Sequence, residues 1–113
     1  MTSVFDSHVS VSKFYELVGS KFFVCCFVSS QCKQCAKQKL FLDVIAPVFP
    51  KFSFVYFMLD DFSDLAVHFS IRSVPTIIIF NQKKIVYRAS GLHDVAKLQI
   101  ILCGLLRYTE VIQ

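Results

Sequence analysis

Cys32-Lys33-Gln34-Cys35 constrains this chain more than any other stretch of it. Two cysteines three residues apart at the start of a helix lie on one face. A helix N-terminus stabilises negative charge, so the first thiol ionises more readily there than a free cysteine does. The flanks say which use of the pair to expect. Phe22-Phe23-Val24-Cys25-Cys26-Phe27-Val28 has the pattern of a buried strand, and Ala36 through Val48 reads as a helix. A strand running straight into C-x-x-C and then a helix suits a redox dithiol rather than a structural metal knuckle.

The 113 residues suffice for one domain with one core, so a single domain over residues 1–113 is predicted. Hydrophobic residues make up 55% of the chain, with 13 Phe and no Trp, which raises the question of a membrane. The longest runs without charge are Phe22 to Cys32, Val74 to Gln82 and Leu98 to Leu106. None approaches the roughly 20 apolar residues of a spanning helix, so no membrane association is expected. Asp6 and His8 near the start, without a basic or long apolar stretch, predict no secretory signal. The net charge of +4 is spread out, and only Lys33, Lys37 and Lys39 cluster. That is a solvated helix face, not a nucleic-acid surface. Five cysteines, an odd number, argue against a secreted disulfide framework. The expectation is a reducing, cytoplasmic compartment with a transient disulfide.

The element order follows from the apolar pattern. Val4-Phe5 is a short edge strand, and Ser7 is a candidate cap for a helix carrying Val11, Phe14, Tyr15, Leu17 and Val18, ended by Gly19. Lys21 to Val28 is a central strand. A helix from about Cys32 to Val48 ends between Pro47 and Pro50. Phe52 to Leu59 is a second buried strand, Asp60-Asp61 stops it, and Ser63 to Phe69 is a short helix. Thr76 to Phe80 is another strand, Asn81-Gln82-Lys83 turns, and Lys84 to Ala89 returns antiparallel. Leu92 to about Arg107 is the last helix, with Val95, Leu98, Ile101, Leu102 and Leu105 along one stripe. The order βαβαβαββα predicts an α/β domain with helices on both sheet faces.

That order, with the dithiol after the second strand, resembles the thioredoxin family from about Val4 to Leu105. Cys32-x-x-Cys35 matches the family's redox motif, with Lys39 following in the helix. Leu59-Asp60-Asp61 matches the end of the third strand, and Phe69-Ser70-Ile71-Arg72-Ser73-Val74-Pro75-Thr76 looks like the segment ending in a cis-proline loop. Phe80 and Ser90-Gly91 fall where the family has an aromatic strand end and a late glycine. The resemblance implies a thioredoxin fold, a five-stranded mixed sheet flanked by four helices. The departures are equally specific. Gln31 stands where the family usually has Trp, Lys33-Gln34 replaces Gly-Pro, and Cys26 occupies the place of a buried Asp. Leu40 replaces a helix proline, and Lys83 replaces a hairpin glycine. They bear on redox potential and partner choice rather than on the fold.

The implied activity is that of a small protein-disulfide oxidoreductase. Cys32, at the helix N-terminus, is the candidate nucleophile, and Cys35 the resolving thiol. The resemblance makes Val74 and Pro75 substrate-binding, through the backbone before a cis-proline. Gln31, Lys33 and Cys26 are candidate modulators, although a buried thiol at 26 also serves simply as a small core residue. Cys25 and Cys103 read as packing residues. No metal is expected, because Cys25 and Cys26, neighbours on a strand, point to opposite faces. His8, His68 and His93 read as surface or capping residues, and Asp60, Asp61 and Asp64 as helix-capping acids. No cofactor is expected, since the chain has no room for a flavin or nicotinamide domain. The expected partners are protein disulfides and a thioredoxin reductase or another dithiol donor. Two alternatives stand beside this reading. One is an iron–sulfur-binding or redox-sensing dimer, each subunit giving one thiolate pair. The other is an interaction module of low activity on the same scaffold.

Overall fold

A strand that is apolar on both sides has to be covered on both sides, and the helical segments supply the cover. The computed structural model describes residues 3–5, 10–19, 21–59 and 64–112. Its strands are β1 (Ser3–Phe5), β2 (Phe22–Val28), β3 (Phe52–Met58), β4 (Thr76–Asn81) and β5 (Lys84–Ser90). They form one five-stranded sheet in the order β1-β3-β2-β4-β5. β1 and β2 run parallel to β3, while β4 runs antiparallel to both β2 and β5. The helices are α1 (Val11–Val18), α2 (Lys33–Ile45), α3 (Asp64–His68) and α4 (Val95–Ile112). The mixed sheet and its four helices are those expected of a thioredoxin fold.

Alternation along β2 sorts the core into two. Val24, Cys26 and Val28 face α2 and α4, packing with Cys35, Leu42, Ile45, Leu98 and Leu102. Phe23, Cys25 and Phe27 face α1 and α3, packing with Phe14, Val18 and Leu65. β2 thus sits at the centre of the sheet, buried on both sides from Phe23 to Val28.

The ends of the elements show where local chemistry shifts a boundary. Ser10 caps α1, its Oγ accepting from the Lys13 N–H at 3.1 Å. Ser7, the cap read from the sequence, lies outside the described residues. Gly19 closes α1 at φ 59°, with its N–H donating to the Tyr15 carbonyl at 3.2 Å. α2 stops at Ile45 and tightens into a 3-10 turn over Ala46–Val48, because Pro47 has no N–H to continue the helix. α4 starts at Val95 rather than Leu92. The Asp94 carboxylate accepts from the Lys97 N–H at 2.8 Å and so fixes the first turn there. Between β4 and β5, Gln82 and Lys83 both take left-handed φ, 53° and 66°, which suits the tight hairpin turn but usually falls to glycine or asparagine. Among the described residues no helix is long and apolar enough to cross a membrane.

Candidate active site

β2 ends buried, and three residues later the chain enters α2. The residue at that entry is Cys32. Its backbone is extended (φ −99°, ψ 112°), and its Sγ accepts from the Cys35 N–H at 3.1 Å. Sulfur thus fills the capping position that serine or aspartate commonly occupies. Cys32 and Cys35 are joined by a disulfide, with their Cα atoms 5.2 Å apart. The two sulfurs are not equivalent. Cys32 is half-buried, whereas Cys35, one turn in, is 1% exposed. After reduction, the N–H already aimed at Cys32 and the end of the helix dipole favour a thiolate at Cys32.

A second loop faces the dithiol. The Val74–Pro75 peptide bond is cis, as the resemblance implies. The Val74 carbonyl oxygen lies 3.7 Å from Cys32 Sγ. Thr76 opens β4 and holds this loop, its hydroxyl donating to the Ser73 carbonyl at 2.7 Å. On the other side the Gly91 N–H donates to the Pro75 carbonyl at 2.9 Å. Val74 also borders a cleft of about 270 Å³ lined by Ser29, Leu59, Ile71, Arg72 and Ser73. An extended chain reaching Cys32 therefore meets a backbone edge with polar and apolar groups beside it. Gln31 and Lys33 flank the disulfide in solvent.

Cys26 shares the buried cluster of Cys35. Burial pushes its thiol up to about 12, and the Lys39 ammonium only partly opposes that. Cys26 is thus a neutral thiol packed as an apolar residue. Burial, reinforced by neighbouring Cys26, raises Cys25 well above the ordinary thiol range too. Cys25 belongs to the cluster on the other sheet face, so the two cannot share a metal. Cys103 is half-buried against the cluster of Cys26 and Cys35, a packing position. Among the described residues no three His, Cys, Asp or Glu converge as metal ligands.

His93 departs from the expectation. It is buried, not a surface or capping residue, because each polar atom it buries has a partner. Its Nδ1 lies 2.8 Å from the Gly91 carbonyl and its Nε2 lies 2.9 Å from the Tyr87 hydroxyl. Its backbone N–H and carbonyl pair with the Gln38 amide at 2.7 and 2.9 Å. Gln38, itself fully buried, was invisible as a site residue by residue type alone. Its spacing was the available signal. Cys35, Gln38, Leu42 and Ile45 form the buried stripe of α2, and one polar residue on such a stripe must find a partner. His68 is exposed and its Nε2 lies 3.3 Å from the Tyr15 hydroxyl. Asp64 stands in the first turn of α3, as a helix-capping acid would; His8, Asp60 and Asp61 lie outside the described residues.

This architecture is shared with solved thioredoxins. The thioredoxin of Malassezia sympodialis is 24% identical, with a TM-score of 0.77 over 92% of this chain and 90% of that one. That of Fasciola hepatica is 20% identical, with a TM-score of 0.75 over 92% and 98%. Mitochondrial thioredoxin 3 of Saccharomyces cerevisiae, in its oxidised form, is 16% identical, with a TM-score of 0.78 over 91% and 94%. At these identities the likeness establishes the fold. No curated protein sequence matches the chain. The thioredoxin family model matches residues 6–102, a stretch holding the dithiol, the cis-proline loop and the buried stripe of α4, and the chain belongs to the thioredoxin family of thiol–disulfide oxidoreductases.

Proposed function

We propose that the protein reduces protein disulfides, with Cys32 as nucleophile and Cys35 as resolving thiol. One observation carries this reading. Cys32 Sγ is half-exposed at a helix N-cap, receives the Cys35 N–H at 3.1 Å and lies 3.7 Å from the Val74 carbonyl, while Cys35 is shielded behind it. In the reduced protein the Cys32 thiolate attacks one sulfur of a substrate disulfide. A Cys32–substrate bond forms, and the other substrate sulfur leaves as a thiolate that takes up a proton. Cys35 then loses its proton and attacks Cys32 Sγ, the mixed disulfide breaks, and the second substrate thiol leaves. Two electrons have passed from the dithiol to the substrate, leaving the Cys32–Cys35 disulfide. A thioredoxin reductase or another dithiol donor restores the dithiol, and a cytoplasmic setting suits that cycle.

Val74 holds the extended substrate segment through backbone hydrogen bonds, and cis-Pro75 shapes the loop that presents that backbone to substrate. Gln31 and Lys33 border that segment from the α2 side. Cys26 acts from behind through Cys35. Being neutral, it offers the resolving thiol no carboxylate to take its proton.

Serine substitutions test the two roles. Cys32→Ser abolishes turnover in an insulin reduction assay. Cys35→Ser instead accumulates mixed disulfides on non-reducing gels, because attack survives and resolution does not. Substantial turnover by Cys32→Ser would sink the mechanism.

A further inference from the structure

The substrate path has two walls, the start of α2 with its dithiol and the loop at Val74–Pro75. With Cys32 in the disulfide its Sγ carries no proton, so its 3.7 Å approach to the Val74 carbonyl is a contact between the walls rather than a hydrogen bond. Both are tied to one short segment, Gly91–Asp94, which joins β5 to α4. Gly91 reaches the loop, its N–H donating to the Pro75 carbonyl. His93 reaches the helix, where the Gln38 side-chain amide clasps its backbone N–H and carbonyl together. Gln38 Oε1 accepts from the His93 N–H at 2.7 Å, and Gln38 Nε2 donates to the His93 carbonyl at 2.9 Å.

The His93 ring locks the segment itself. A carbonyl only accepts, so Nδ1 carries the proton and donates to the Gly91 carbonyl at 2.8 Å. In the neutral ring Nε2 is then an acceptor, and the Tyr87 hydroxyl donates to it at 2.9 Å. One residue, Gly91, is thereby held by Pro75 at its nitrogen and by His93 at its oxygen. The line runs from Cys35 through one helical turn to Gln38, then His93, Gly91 and Pro75, and back to Cys32 across the 3.7 Å gap at the Val74 carbonyl.

We infer that Gln38 and His93 are positioning residues that set the gap between the dithiol and the substrate-docking loop. They touch neither sulfur nor substrate. They fix where the Val74 backbone stands relative to Cys32, and so how well an extended chain is presented to the thiolate. Both are fully buried, so a loosened clasp would strand polar groups without solvent to replace it. That makes the spacing a stiff one. The inference rests on the disulfide-reductase reading above.

Three variants test it. Gln38→Met keeps the length and removes both clasp bonds. His93→Leu keeps the clasp, which is backbone on that side, and removes both ring bonds. His93→Asn is the conservative variant, because an asparagine Nδ2 stands near the place of Nδ1 and can still donate to Gly91. Gln38→Met and His93→Leu should each raise KM for a protein disulfide about fivefold with kcat within about twofold, since a misplaced docking edge weakens binding more than chemistry. Each should also shift the dithiol–disulfide equilibrium against glutathione about threefold, as the 3.7 Å contact at Cys32 changes. His93→Asn should recover most of both effects. Folded variants with unchanged KM and unchanged equilibrium would overturn the inference, however far their melting temperature falls. So would a His93→Asn protein no better than His93→Leu. If Gln38→Met does not fold, the pair at His93 decides alone. The glutathione equilibrium needs no protein substrate, so it tests the clasp even if the wild-type protein fails to reduce insulin.

Discussion

The two faces of the sheet are covered by the same kind of element and built by different chemistry. On the α1/α3 face the core is almost wholly apolar and rich in rings. Phe14 lies with its ring centroid 5.1 Å from those of Phe57 and Phe69 and 5.5 Å from that of Phe80. On the α2/α4 face, buried polar groups are threaded among the aliphatic side chains. Gln38 clasps His93, Tyr87 meets the His93 ring, and the Tyr56 hydroxyl donates to the Lys39 carbonyl at 2.8 Å. The dithiol belongs to this second face. An apolar cluster tolerates many arrangements of similar volume. A polar cluster has partners to satisfy at fixed distances, so it specifies one arrangement at a cost if any member is lost. The difference teaches that stability and placement are divided between the faces.

The most forceful way to break that division is from the aromatic side. Phe14→Ala removes the ring at the middle of the cluster and should cost about 3–5 kcal/mol in denaturant unfolding. The dithiol equilibrium with glutathione should nevertheless stay within about twofold of wild type, because Phe14 packs in the cluster on the opposite face of the sheet from the dithiol. A Phe14→Ala protein whose dithiol shifts as far as that of Gln38→Met would end the comparison.

Cys26→Asp sharpens it from the other side. Cys26 is fully buried, and a carboxyl there should cost about 1–3 kcal/mol even if it stays protonated. Lys39, whose charge already reaches this position, tempers the loss. The same carboxyl would give Cys35 a proton acceptor, so turnover should rise as the melting temperature falls. No change in either would mean that position 26 is solvated, which its burial contradicts.

The smallest effect concerns pH. Burial holds the His93 imidazole below its ordinary value of 6.5, with Lys97 adding to the shift and Gly91 and Asp94 opposing it. The unfolded chain therefore takes up the proton first as pH falls. The stability that His93 contributes in its neutral form is complete above about pH 6.5. It declines below that and stops declining once pH has passed the folded value. Tyr87 faces the ring and stays a neutral donor, burial having raised its hydroxyl. Melting temperatures of wild type and His93→Asn, compared from pH 8 to pH 5, should converge toward the acid end. A constant difference would show that His93 does not titrate in this range.

Much of this was legible in the sequence, for a physical reason. β2, β3 and β4 are apolar on both faces, and little but a central strand reads that way. The dithiol could be placed because a helix N-terminus is a property of chain order. The α2/α4 face was less legible. Its buried polar pairing joins Gln38 to His93, 55 residues apart, and nothing local in the sequence links the two. Histidine at 93 and glutamine at 38 are ordinary surface residues by type, and only the buried stripe of α2 marks one as enclosed. The start of α4 lies beyond its apolar pattern for a simpler cause: Leu92 and His93 extend the helical periodicity, but Asp94 takes the cap.

Cys25 and Cys26 are consecutive, buried, and aimed into opposite clusters. The chain therefore carries a natural reporter on each side of its central strand. An alkylating reagent reaches Cys25 only when the aromatic side opens, and Cys26 only when the polar side does. The ratio of the two labelling rates measures whether the sheet comes apart as one body or sheds one layer before the other.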